Sequence, residues 1–247
     1  MELTAEFLTS LDEKIKLLEK AGLDHLVILP FTQELSRMEA CDFVRSVLVE
    51  GIGVNRLIVG FDHHFGHKGG GSANTIGECA SKFGFELERV DAVEENGISV
   101  SSSLIRSLIR TGNLREANSL LGYEYFLQGS IVKGMRIGRA MGYPTANLKP
   151  DYDFKLIPDC GVYAVELELD GDIYKSMLYI GTRPTIAEAD GNISIEAHLL
   201  NFEGDLYGRS LTVHFRHRLR GDIKFANKEL LRDQIDKDKE DTINLLG

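Results

Sequence analysis

Apolar positions recur with two different periods along this chain, and the change of period falls near residue 122. In the first part, Leu11, Ile15 and Leu18 share one face of a segment that opens on Ser10, carries Glu13 three residues on and stops at Gly22. That spacing predicts a helix with a capping box. The uninterrupted run His25–Phe31 (HLVILPF) follows, then a helical stretch from Glu39 to Val49, the run Arg56–Gly60, a helix from Ser72 to Lys82 and the alternating Phe85–Val90. Apolar runs without alternation, separated by amphipathic helices, predict a parallel sheet covered on both faces.

From Tyr123 onward the runs shorten and become β-rich: Gly161–Leu169, Tyr174–Ile180, Ile193–Leu200 and Leu211–Phe215. Asp170-Gly171, Asp190-Gly191 and Glu203-Gly204 punctuate them, and turn signals at this interval predict an antiparallel barrel or sandwich. A closing helix is predicted from Ala226 to Lys239, with Leu230, Leu231 and Ile235 as its buried stripe. The expected organisation is therefore an α/β domain over residues 1–122 followed by a β domain over residues 123–247.

Composition narrows the classes. With 43% apolar and 27% charged residues, disordered and fibrous readings are poor. The formal net charge of −10 argues against nucleic acid as a partner, because such a field repels phosphate backbones. No apolar run approaches the ~20 residues of a membrane span, and no signal-peptide core opens the chain. Cys41, Cys79 and Cys160 are spread singly, with neither metal spacing nor a disulfide framework, so a reducing cytoplasm is the expected setting.

The densest chemical signal is Gly134-Met-Arg-Ile-Gly138-Arg-Ala-Met-Gly142-Tyr-Pro144-Thr145-Ala-Asn147. Gly134, Gly138 and Gly142 let backbone N–H groups approach an anion, although a glycine-rich hairpin turn fits the same spacing. Thr145 and Asn147, two apart on an extended chain, present a hydroxyl and a carboxamide to one side, donors suited to a hard cation beside phosphates. Downstream, Ile180–Thr185 repeats the glycine, proline and threonine chemistry. Glu196 then shares a strand face with Ser194 and His198, opposite Ile195, Ala197 and Leu199. That face reads either as a solvated exterior or as the seat of a general base. Arg209, Arg216, Arg218, Arg220, Lys224 and Lys228 concentrate positive charge, which suits either an exposed strand edge or nucleotide phosphates.

Taken in order, the glycine loop with its Pro-Thr-Ala-Asn, Ile180–Thr185, Glu196, Leu206-Tyr-Gly208 and Leu219–Phe225 before a helix resemble the kinase half of the bacterial bifunctional riboflavin kinase/FMN adenylyltransferases. The resemblance implies a six-stranded Greek-key barrel with a C-terminal helix. It implies that Thr145 and Asn147 hold Mg2+ and the ATP phosphates. The Gly134–Gly142 loop and Pro144 would cover the nucleotide, and Glu196 would activate the riboflavin hydroxyl that attacks the γ-phosphate to give FMN.

Residues 1–122 resemble the other half, a Rossmann-like nucleotidylyltransferase that moves AMP from ATP to FMN. The pieces are Phe43, Ile58–Asp62 with Phe65-Gly66, and Val100–Arg106. Site residues carried over are Asp62, Ser101, Ser102, Ser103 and Arg106, with Ser103 standing where threonine is common. The family opens with a strand and a His-x-Gly-His turn, whereas this chain starts at a later helix. The expectation is a partial first domain with weakened FAD synthesis. His64-Phe-Gly-His67 matches that box literally but reads as the family's second motif. The alternative to a working kinase is a flavin- or nucleotide-binding or regulatory remnant. Riboflavin, FMN and ATP are the partners implied, with flavoproteins as candidate clients and neither nucleic acid nor membrane among them.

Overall fold

The computed structural model of the protein describes residues 6–62, 66, 73–133, 142–182 and 193–247. Two units result, one of residues 22–100 and one of residues 1–21 together with 101–247. The glycine loop at Gly134 and Gly138, Thr185, the Asp190-Gly191 turn, Ser72 at the expected helix start, and His64, Phe65 and His67 lie outside the described residues.

The larger unit begins with α1 (Leu11–Lys20). Its capping box forms as the sequence predicts: the Ser10 hydroxyl accepts from the Glu13 N–H, and the Glu13 carboxylate accepts from the Ser10 N–H at 2.8 Å.

The smaller unit contains α2 (Gln33–Arg37), α3 (Ala40–Phe43), a wider π-type helix (Val44–Ile52), β1 (Arg56–Gly60), α4 (Ala73–Phe83), β2 (Glu86–Val90) and the short ribbon β3 (Glu94–Glu95) and β4 (Ile98–Ser99). β1 and β2 run parallel, Arg56 opposite Glu86 through Gly60 opposite Val90. Val44, Val59, Ile76, Cys79, Ala80 and Phe85 form the core beneath them.

Two expectations are corrected here. The run His25–Phe31 forms no strand, and Leu26, Val27, Ile28, Leu29 and Phe31 are exposed, Phe31 by 83%. Apolar content reports readiness to be buried, but a strand also needs a neighbouring edge to complete its ladder, and among the described residues β1 pairs with β2 alone. Pro30 also removes a ladder donor from the run. Second, Cys41 and Cys79 are not solitary: they are joined as a disulfide between α3 and α4, with Cα atoms 5.9 Å apart. They stand 38 positions apart, so linear spacing carried no hint of the pairing.

The larger unit resumes with α5 (Ser102–Thr111) and α6 (Leu114–Leu121) and continues as β5 (Phe126–Val132), β6 (Ala146–Pro150), β7 (Gly161–Leu169), β8 (Asp172–Thr182), β9 (Ile193–Leu199), β10 (Ser210–Gly221) and α7 (Lys228–Leu245). The six strands close into a barrel in the order β10-β5-β6-β9-β8-β7, every pair antiparallel. Leu127, Tyr163, Val165, Leu178, Val213 and Phe215 are fully buried in this unit. Gly129 is required in β5, since a Cβ there would meet the Lys149 carbonyl oxygen at 2.5 Å.

α1 belongs to this unit through one buried ion pair. Lys155 Nζ lies 2.7 Å from Glu13, each side chain only 2% exposed, and it also donates to the Leu8 carbonyl and sits 4.6 Å from the Tyr125 ring centre. Burial lowers the Lys155 pKa from its ordinary 10.5, with the Glu13 charge opposing.

α7 starts two residues after its predicted start and runs longer than expected. Asp238 and Thr242 are buried, Leu231 and Ile235 on the same face are half-buried, and Leu230 is half exposed. Adjacent residues lie about 100° apart on a helix, so Leu230 and Leu231 cannot share one narrow stripe.

Three phenols set an alkaline limit. Burial raises Tyr125 well above its ordinary 10.0 and pushes Tyr163 up to about 12; Tyr179 also reaches about 12, by burial and then the Asp222 carboxylate. The folded chain keeps protons that the unfolded chain sheds near pH 10.0, so this stability is complete below that pH and is lost as pH rises toward about 12. Urea midpoints should fall across that window, and a flat profile would contradict the assignment.

Candidate active site

β6, β9, β8, β7 and β10 bring one residue each into a single rung. Asn147 pairs with Glu196, Glu196 with Tyr179, Tyr179 with Val162, and Val162 with Arg220. Residues directly opposite one another in a ladder point to the same side of the sheet. Ile195, Ala197 and Leu199 are buried on the other side, as the alternation predicted.

Arg220 reaches this rung because β10 is irregular. Its pairing with β7 shifts between Arg218 and Arg220, leaving Leu219 as the extra residue. Arg220 then makes a two-pronged ion pair with Asp238 of α7, with nitrogen–oxygen distances of 2.8–3.1 Å, and stacks 5.7 Å from the Phe225 ring centre. Gln234 donates to the same carboxylate at 2.8 Å. Asp238 is 3% exposed, so its charge is held by these donors.

Two cavities meet at Thr145. One, of about 360 Å³, lies between the rung and α7, with Val162, Met177, Ile223, Phe225, Leu231 and Ile235 as apolar walls and Glu196, Tyr179 and His198 as polar ones. The other, of about 640 Å³, is bordered by Lys133, Pro144, Asn147, Asp205 and Tyr207. Lys133 Nζ stands 5.2 Å from the Tyr207 ring centre.

Glu196 is anchored where the two meet. One carboxylate oxygen accepts from Thr145 Oγ1 at 3.0 Å and the other from Ser194 Oγ at 3.3 Å. The group is oriented, half-buried and faces the apolar cavity, so it can accept a proton from a hydroxyl lodged there. Tyr179 Oη donates to Asp222 at 3.2 Å on the same wall.

The structure thus unites Thr145, Asn147 and Glu196, and places Pro144 beside them. Gly142 has φ of +87°, a left-handed turn that favours glycine. Thr145 and Asn147 offer neutral oxygen donors, and the described residues hold no cluster of three His, Cys, Asp or Glu side chains. Such a donor set fits magnesium, which keeps waters and substrate phosphates in much of its coordination shell.

The four arginines of the basic concentration have partners within the protein. Arg209 pairs with Asp170, Arg216 with Glu124 and Glu166, and Arg220 with Asp238, while Arg218 donates to the Thr111 and Cys160 carbonyls. Elsewhere, Ser101 caps α5 by accepting from the Leu104 N–H, and Arg106 donates to Ser103 at 3.3 Å. Ser102 begins that helix. In the smaller unit, Asp62 stands in the turn after β1. Sequence reasoning missed Tyr179, Asp222 and Asp238. The only signal for Asp238 was its position seven residues beyond Leu231 on one helical face.

Residues 121–246 match the riboflavin kinase (flavokinase) family and residues 2–104 the FAD synthetase family. The bifunctional riboflavin kinase/FMN adenylyltransferase of Pseudomonas fluorescens is 37% identical over 217 residues, 88% of this chain and 69% of that protein. The enzyme of that name from Listeria monocytogenes is 35% identical over 237 residues, 96% of this chain and 74% of that one. A crystal structure described as a macrolide-efflux protein from Streptococcus pneumoniae superposes with a TM-score of 0.87 at 30% identity, covering 97% of this chain and 76% of that one. The chain belongs to the bifunctional riboflavin kinase/FMN adenylyltransferase family. Among the described residues, no helix is long and apolar enough to cross a membrane.

Proposed function

We propose that this chain phosphorylates riboflavin to FMN with Mg-ATP. The observation that carries this reading is Glu196, fixed by Thr145 on the wall between an apolar cavity suited to a flat flavin ring and a second cavity suited to a nucleotide. Glu196 takes the proton of the terminal ribityl hydroxyl. That oxygen bonds to the γ-phosphorus as the bond to the β–γ bridging oxygen breaks, and ADP leaves. Because phosphoryl transfer needs mainly alignment and charge neutralisation, one oriented base and two phosphate-side donors suffice from the protein. Thr145 and Asn147 would hold the magnesium, which neutralises phosphate charge when bound. Pro144 and the Gly134, Gly138 and Gly142 loop would border the nucleotide. Purified protein should form FMN from riboflavin and Mg-ATP, and folded protein forming none would overturn the reading.

Within it, Thr145→Ala or Asn147→Ala should raise the magnesium concentration needed for half-maximal rate, because each variant removes one oxygen donor from an ion intolerant of irregular coordination. An unmoved magnesium titration would place the metal elsewhere.

The FAD synthetase match favours a second activity, FMN adenylylation. We assign to it Ser101, Ser102, Ser103 and Arg106 at the α5 start, where helix N–H groups attract phosphate, and separately Asp62. FAD formation from FMN and ATP, with and without Arg106→Ala, tests that assignment. A cytoplasmic setting is part of the same proposal, resting on the use of ATP, since the Cys41–Cys79 disulfide withdraws the argument from solitary cysteines.

A further inference from the structure

Resting on the kinase reading, we propose that His198 is a positioning residue for the nucleotide side of the reaction, acting through the Pro144–Thr145 peptide. His198 Nδ1 lies 2.8 Å from the Pro144 carbonyl oxygen. A carbonyl only accepts, so Nδ1 carries the proton of this bond.

That contact fixes the plane of the peptide preceding Thr145, while the pyrrolidine ring fixes the Pro144 φ angle. With both set, little freedom remains in where the Thr145 hydroxyl goes, and it meets Glu196 at 3.0 Å. His198 and Glu196 sit two residues apart on the same face of β9, so one strand supplies both the base and the latch. The ring is held in turn: Tyr143 packs edge-on against it with centres 5.5 Å apart, and the Tyr143 hydroxyl bonds to Asp236 of α7. The segment joining the glycine loop to β6 is thereby tied to β9 on one side and to α7 on the other.

The test compares the wild type with His198→Phe, which keeps a ring for Tyr143 but loses the donor, and His198→Asn, whose amide N–H stands on Cγ as Nδ1 does. The Phe variant is expected to weaken Mg-ADP binding, read by calorimetry, and raise the Mg-ATP KM by about three- to tenfold, the worth of one hydrogen bond. The Asn variant should recover most of the loss in Mg-ADP affinity. A Phe variant equal to wild type, or an Asn variant as impaired as Phe, overturns the proposal. Should the Phe variant fail to fold, His198→Ala takes its place against the same Asn rescue. Absence of FMN from the wild type would sink the kinase reading alone, because Mg-ADP binding still reads the latch.

Discussion

Glu196→Gln is expected to lower kcat for FMN formation by about 10²- to 10⁴-fold, the range for losing a positioned general base. The amide keeps the size of the side chain and one oxygen that can accept from Thr145, so the local frame survives. What disappears is the capacity to take a proton from the attacking hydroxyl. Riboflavin affinity should change little, because the apolar walls Val162, Met177, Phe225 and Leu231 are untouched. Steady-state kinetics and a flavin-fluorescence titration on the same preparation check both halves of the expectation. Unchanged turnover would return Glu196 to an ordinary solvated strand face.

Lys155→Met should be the most damaging single change to stability among those considered. It removes one member of an ion pair whose side chains are each 2% exposed and leaves the Glu13 carboxylate buried with its charge uncompensated. Breaking such a pair costs about 3–5 kcal/mol, a large part of the ~5–15 kcal/mol that holds a typical domain together. Combining it with Glu13→Gln removes the stranded charge while keeping an acceptor for the Ser10 N–H, and should restore most of the urea midpoint. If the double variant is as unstable as the single one, the loss comes from packing around the lysine stem rather than from charge.

Both expectations depend on features that differ in how far the linear chain displays them. The Ser10–Glu13 cap, the strand runs of the barrel and the face shared by Ser194, Glu196 and His198 are local patterns, and local patterns survive folding unchanged. The exposed run His25–Phe31 shows the limit of such reading, since hydrophobicity says what would be buried but not whether a partner strand is there. Pairings across long separations were silent for the same reason. Cys41 with Cys79, Glu13 with Lys155 and Arg220 with Asp238 are contacts that composition cannot announce. The partners of Arg209, Arg216 and Arg220 were equally silent, because Glu124, Glu166, Asp170 and Asp238 reach them from other elements.

The extra residue in β10 turns strand length into chemical information. Arg216, Arg218 and Arg220 stand at every second position, yet each meets a different environment, because the strand gains a residue against its neighbour twice along this stretch. Which arginine greets α7 is therefore decided by counting as much as by side-chain type. A relative with one residue fewer here could carry the same letters and still aim a leucine at the cavity, so comparisons along this strand are meaningful only once the insertion has been aligned.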